Sequence, residues 1–315
     1  MKKGFILLYI LIYSLAISAQ NESRTEYNFL RIPVSAHSAA LGGDNISLYD
    51  DDASLMFSNP ALLTNASDKT IGLNYMNYMQ GANTLSASYN FIPFDRATAA
   101  FSGQYMDYGT MKETDSEGNV TGDFRAKDIS LAGYLAYLLS DHISAGVTAK
   151  FITSYIGNYN SLAVGIDLGV NYLNTNGDFS VSLVAKNLGG QLKAYDDNYE
   201  PMPFDLQLGV SKRLSHTPLR LHATLVDLTH TSYKLKNHLV IGADLLLSES
   251  IWAGCGYNFR RASEMSIGTG DEESSHGAGF SLGAGINLER FGVNFSWGKY
   301  HVGNSSIIIN LSYKL

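Results

Sequence analysis

Asp44, Asp50, Asp51 and Asp52 lie close together in the chain. Clustered carboxylates are the donors that a hard cation such as calcium selects. Their spacing departs from a calcium-binding helix–loop–helix, and Asp52 stands where a helix N-cap before Ala53 to Phe57 is expected. Asn59 reads as the cap of a second short helix that Pro60 opens at its first position. The eight histidines, at 37, 142, 216, 222, 230, 238, 276 and 301, form no His-x-x-x-His pair, so no zinc scaffold is expected. No Gly-x-Ser-x-Gly nucleophile elbow is expected, and Gly277-Ala278-Gly279 reads as the start of a strand rather than a phosphate-cradling turn before a helix. The single cysteine, Cys255, alternates in phase with Ile251, Ala253, Tyr257 and Phe259 and reads as a small apolar wall residue rather than a reactive thiol. The expectation is a chain without catalysis, metal or cofactor.

The elements that would carry these residues are strands. From Ile143, the residues Ile143, Ala145, Val147, Ala149 and Phe151 alternate with Ser144, Gly146, Thr148 and Lys150. Leu162, Val164, Ile166, Leu168, Val170 and Tyr172 repeat the pattern. Successive side chains of a strand point to opposite faces, so strict alternation over about ten residues suits a strand with lipid on one side and a polar interior on the other. Fourteen such segments are expected, at 69–78, 84–92, 97–107, 128–139, 142–155, 161–173, 179–188, 204–214, 219–229, 238–248, 251–259, 279–288, 291–300 and 306–315. The connections after every second strand are tight, whereas the others include all the long ones, at 109–127, 189–203, 230–237 and 260–278. Short turns on one side and long loops on the other mark the periplasmic and outer sides of an outer-membrane barrel.

Composition agrees. Charged residues make up 16% and hydrophobic ones 45%, with 30 glycines, 20 tyrosines and six prolines, which excludes a disordered or collagen-like chain. A net charge of -7 argues against a nucleic-acid partner. The start, Met1-Lys2-Lys3 followed by the apolar run Phe5 to Leu15 and small residues to Ala19, reads as a cleaved export signal over 1–19, since the run is shorter than the roughly 20 residues that span a bilayer. Residues 20–68 then form an N-terminal helical and loop plug, and 69–315 an all-β transmembrane antiparallel barrel of about 14 strands. On the last strand Ile307, Ile309, Leu311, Tyr313 and Leu315 share one face, and Tyr313 and Leu315 look like the terminal signal read by the barrel-assembly machinery. Glycines at 165, 169, 242, 254, 256, 283, 285, 292 and 298 fall mostly on the polar face; they fit a channel, a slot for a plug or sheet curvature.

Long loops held on a rigid scaffold are the expected partner surface. Candidates are Lys112, Asp115 and Arg125 in one loop, Tyr195, Asp197 and Tyr199 in a second, and Arg260 and Arg261 in a third.

The segment Tyr27 to Ala36, then Ala39-Ala40-Leu41-Gly42-Gly43 and Asn59-Pro60-Ala61-Leu62, resembles the PorV/PorQ family of outer-membrane proteins, within the wider group of FadL-like barrels. That group folds its N-terminal segment into the lumen, so Gly42, Gly43, Asp52, Asn59 and Pro60 are the expected plug motif. Lys186-Asn187-Leu188-Gly189-Gly190 and Pro203 to Lys212 resemble the PorQ branch in particular. The resemblance implies a non-enzymatic part of the type IX secretion attachment complex. It would hold a PorZ-like surface protein beside a PorU-like sortase and a PorV-like barrel, in contact with outer-membrane lipid and lipopolysaccharide. The alternatives are a FadL-like channel for hydrophobic solutes and a PorV-like cargo shuttle.

Overall fold

The computed structural model describes residues 25–174, 178–265 and 277–315. The expected export signal, and His276 with part of the connection 260–278, lie outside them. The wall is one closed sheet of fourteen antiparallel strands, each bonded to its neighbours in sequence. These are β1 (Thr70–Asn77), β2 (Asn83–Phe94), β3 (Ala97–Thr114), β4 (Val120–Ser140), β5 (Ile143–Ile156), β6 (Tyr159–Asn174), β7 (Phe179–Lys193), β8 (Asp205–Arg213), β9 (Leu219–Leu225), β10 (Leu239–Leu246), β11 (Ile251–Asn258), β12 (Phe280–Asn287), β13 (Phe291–Gly298) and β14 (Ser306–Lys314). Closure pairs Thr70 with Lys314 and Asn77 with Ile307, leaving no open edge for association.

Each expected strand is present, and alternation decides which face meets lipid. Leu168 is 49% exposed while Asn171 on the same strand is 2% exposed. Aromatic side chains form belts at both ends of the apolar band. Phe94, Phe101, Tyr137, Tyr172, Phe291 and Tyr313 stand exposed toward the tight turns, and Tyr75, Tyr159 and Phe280 toward the other rim. Tyr313 packs against Phe291 at 4.9 Å between ring centroids, while Leu315 follows the last strand and is exposed.

The expected loop 109–127 is corrected by the structure: most of it is strand. β3 and β4 run on as a hairpin, pairing Thr110 with Arg125 and Lys112 with Asp123. The 21 residues of β4 extend about 70 Å at roughly 3.3 Å per residue, far beyond what the membrane needs. Polar residues occupy both faces of this extension because water meets both, so hydrophobic alternation could not reveal it. β7 likewise runs on to Lys193, into the expected loop 189–203. Strands β8 to β14 are only seven to nine residues long, so one side of the barrel stands taller than the other.

The lumen is filled by the chain before β1. It contains a 3-10 turn at Asn28–Arg31, the helix α1 (Ala36–Ala40), and 3-10 turns at Ala53–Phe57 and Pro60–Asn65. The Asp52 carboxylate accepts from the Ser54 amide at 2.8 Å, and the Asn59 side chain from the Ala61 amide at 2.9 Å, as the capping signals require. The apolar core lies between plug and wall. Met56 and Leu63 pack against Ala100, Ala132 and Tyr134, and Phe29 and Leu30 against Met106 and Ile152. Leu41, Leu48, Leu55 and Leu62 pack on one another within the plug, each stabilising it by about 1.5–3 kcal/mol.

Candidate functional site

Three features of the lumen bear on function: the seat of the plug, a buried charge cluster toward the tight turns, and a cavity toward the long loops.

The plug turns at Gly42 and Gly43, with φ of 105° and 103°, a conformation that side chains with a Cβ resist. Wall glycines face the plug where its backbone comes closest. A Cβ at Gly256 would collide with the backbone of Leu41 and Gly42, one at Gly146 with Pro60 and Ala61, and one at Gly169 with the Asn59 side chain. Of the polar-face glycines, those at 169, 242, 254, 256 and 283 receive the plug, whereas those at 165, 285, 292 and 298 face wall or loop side chains. Ser281 completes the seat, accepting from the Gly42 amide at 3.0 Å and donating to the Ala40 carbonyl at 2.9 Å. The run Gly279-Phe280-Ser281-Leu282-Gly283 has the spacing of a nucleophile elbow, but Phe280 to Gly283 lie along strand β12, and this hydroxyl holds the plug.

Arg220, on the lumen face of β9, joins wall to plug. Its Nη1 and Nη2 donate to the two oxygens of Asp50 in the plug at 2.6 and 2.8 Å, the forked geometry that suits guanidinium and carboxylate. Nε and Nη2 also donate to Asp244 of β10 at 3.1 and 2.8 Å. His37 of α1 bridges the same carboxylates, with Nε2 2.8 Å from Asp244 and Nδ1 3.2 Å from Asp50. Its ring stacks on Trp252 at 3.5 Å, and Trp252 donates to Asn294 at 2.9 Å. His222 Nε2 lies 3.3 Å from Asp244, and its Nδ1 2.7 Å from Ser211. Burial alone would raise the Asp50 carboxyl, but Arg220 and His37 hold it well below the usual carboxylate range. Burial likewise opposes protonation of His37, and the two carboxylates outweigh it, raising the imidazole above its ordinary value. An arginine between two aspartates that are bridged by a histidine is a satisfied latch fixing the plug to β9 and β10. The sequence reading passed over it, though a signal was there: Arg220 and Asp244 break the polar faces of adjacent spanning strands, where an ionisable residue needs a partner.

The third feature is an outward-facing cavity of about 400 Å³. The helix α2 (Phe259–Glu264), capped by Asn258 accepting from the Arg261 amide at 3.0 Å, supplies Arg260 and Arg261 to it. Arg260 pairs with Asp227, and with Glu264 at 2.8 Å; Arg31 of the plug also reaches Asp227, at 3.3 Å. Arg261 lies 3.8 Å over the Tyr300 ring. Asp44 lines the cavity beside them; burial, then the like charge of Asp205, raises its carboxyl above the ordinary value. The aspartates that looked clustered in sequence are thus separated: Asp50 meets Arg220, Asp51 meets Lys314 at 2.7 Å, Asp52 caps a turn, and Asp44 takes a hydrogen bond from Asn258 at 3.4 Å.

The remaining candidates sit apart from the cavity. Lys112 and Asp123 pair at 2.9 Å on the β3–β4 hairpin, and Arg125 donates to Thr110 at 3.2 Å. Asp115 closes the tip by accepting from the Glu117 and Asn119 amides at 2.9 Å. Tyr195 donates to Ser154, which donates to Asp128, while Tyr108 donates to the same carboxylate at 2.6 Å. Asp197 and Tyr199 are exposed on the connection between β7 and β8.

Solved structures share the architecture. The Pseudomonas putida toluene transporter TodX aligns with a TM-score of 0.59 at 14% identity, over 90% of this chain and 98% of that one. The Ralstonia pickettii toluene transporter TbuX gives 0.55 at 13%, over 90% and 98%, and a Pseudomonas aeruginosa FadL homologue 0.54 at 12%, over 89% and 98%. At these identities the likeness is one of fold. No curated protein matches the chain. Residues 132–306 match the model of the type IX secretion system membrane protein family PorP/SprF; the match meets the type IX secretion expectation but not the finer PorV/PorQ one. The match takes in β5 to β13 entire, with the Arg220–Asp244 latch in the wall and the α2 arginines: this chain belongs to the PorP/SprF family of type IX secretion system membrane proteins.

Proposed function

We propose that this barrel is a non-enzymatic holdfast of the type IX secretion system, keeping a PorZ-like protein at the cell surface beside a PorU-like sortase and a PorV-like barrel. The observation that carries the reading is the latched plug in a barrel of this secretion family. A lumen occupied by Leu41, Leu48, Leu55 and Leu62 and fastened through Arg220 suits a scaffold better than a duct. The tall β3–β4 hairpin with Lys112, Asp115 and Arg125, the connection bearing Tyr195, Asp197 and Tyr199, and the rim arginines Arg260 and Arg261 would form the partner face, with lipopolysaccharide around it. Rigid elements lifting polar and aromatic side chains clear of the membrane are what such docking needs.

Deletion of the gene followed by fractionation tests this. Loss from the cell surface of both the PorZ-like protein and proteins bearing the C-terminal sorting signal, restored by the intact gene, is the expected result. Normal surface attachment would sink the reading. The channel reading draws on the architecture shared with the toluene transporters; uptake of hydrophobic solutes that falls on deletion while attachment stays normal would favour it instead.

A further inference from the structure

Lys150 of β5 and Lys186 of β7 project toward the lumen from the two strands that flank β6 but differ in their partners. Lys150 lies 2.7 Å from Asp167 and donates to Asn187 at 2.8 Å. Among the described residues the Lys186 ammonium has neither an ion pair nor a hydrogen bond, and it lines the outward-facing cavity. A shift in register puts it there: Ile166 opposes Leu188 while Leu168 opposes Ala185, so Lys186 and Asn187 together face Asp167. Asn187 takes a φ of 59°, which asparagine tolerates better than most residues. Its amide donates to Asp167 at 2.7 Å and its side chain to the Pro203 carbonyl at 3.0 Å, fixing the bulge. Bulges of this kind re-aim a side chain beside a site.

Among the described residues, Gln207, Arg261 and Tyr300 in the same cavity each have a buried polar atom without a hydrogen-bond partner, the Tyr300 one being its hydroxyl. Gln207 is 1% exposed; its Nε2 donates to Asp205 at 2.6 Å, but its Oε1 accepts nothing. Arg261 is held over Tyr300, and its buried Nη1 has no acceptor. Leaving buried polar atoms unpaired costs about 1–3 kcal/mol each; a cavity that gathers such a guanidinium nitrogen, amide oxygen and phenol hydroxyl, with the half-buried Lys186 ammonium beside them, is built for an occupant. Lys186 and Arg261 call for an anion, and the Gln207 oxygen calls for a donor. Asp44, Asp205 and Asp227 around them disfavour a ligand with several negative charges.

We propose that the cavity binds a small monocarboxylate that also carries a hydrogen-bond donor, the carboxylate lying between Lys186 and Arg261 and the donor directed at Gln207. This site is independent of the holdfast reading, because its test uses the purified barrel alone. Calorimetric titration of the full barrel in detergent would compare D-glucuronate, whose donors are hydroxyls, and L-alanyl-L-alanine, whose donor is an ammonium, with the uncharged methyl glucoside and alanyl-alaninamide. Saturable binding of at least one acid is expected, with the corresponding neutral compound at least about tenfold weaker. Lys186→Met and Arg261→Gln should each weaken the acid at least about tenfold in a barrel that still melts cooperatively as the folded protein, and Gln207→Leu should narrow the gap between the acid and a simple acetate. No saturation by either acid at ~10 mM, or equal binding by wild type and both charge variants, would overturn the proposal.

Discussion

The two charged regions of the lumen are built from similar residues and end in different states. Toward the tight turns, Arg220 is enclosed by Asp50 and Asp244, and His37 and His222 complete the set. Toward the long loops, Arg261 stacks on Tyr300 with a nitrogen unpaired, the Gln207 oxygen is bare, and the Lys186 ammonium has no ion pair or hydrogen bond among the described residues. The difference teaches how to separate a fastening from a site. Buried charges that are mutually satisfied hold two elements together, whereas buried polar atoms left over beside open volume anticipate something that is not part of the chain.

Breaking the latch should give the largest effect. Arg220→Met leaves the buried Asp244 and the partly exposed Asp50 without their cation, and a loss of about 3–5 kcal/mol is expected in reversible unfolding from phospholipid vesicles. A loss below about 1 kcal/mol would mean that the latch does not fasten the plug.

The wall supplies a reference for that number. Leu168→Arg puts a charge on the lipid face and should cost about 2–4 kcal/mol. Asn171→Ala should cost about 1–2 kcal/mol, since the Asn171 amide donates to Ser180 and Ser182 at 2.7 and 2.8 Å. Equal costs at the two positions would contradict the register.

At the outward cavity the expected cost is smaller still. Lys186→Met should change stability by less than about 1 kcal/mol, because no pair is broken. A loss as large as that of Arg220→Met would make the two regions equivalent and erase the distinction drawn between them.

The slightest effect concerns pH. The folded protein raises the affinity of His37 for its proton, so this group contributes stability that is fully present below its unfolded value of about 6.5 and is lost as pH rises through the higher folded value. Stability should therefore decline gently as pH rises above about 6.5, and His37→Gln should flatten that decline in the same unfolding measurement. An unchanged slope would remove His37 from the latch.

Much of the barrel was legible because lipid imposes a rule that each residue obeys alone. Every second side chain must be apolar wherever the wall meets hydrocarbon, and all fourteen strands followed from it. The rule is silent where water meets both faces, which is why the β3–β4 extension around Lys112 and Asp123 looked like loop. The caps at Asp52 and Asn59 were legible for a similar reason, since each acts on an amide two residues away. The latch was not, because Asp50 and Arg220 are 170 residues apart and no local period links them.

What the sequence by itself determined is thus the wall: strand number, the face each residue presents, and the ends marked by turns. What only the tertiary structure decided is the interior. Nothing local distinguishes Lys150 from Lys186, or a wall glycine that relieves curvature from one that receives Leu41, since those roles depend on which distant segment the closed barrel brings opposite. The lumen is where neither lipid nor bulk water sets the rule, so each polar side chain there takes its meaning from the neighbour that folding supplies.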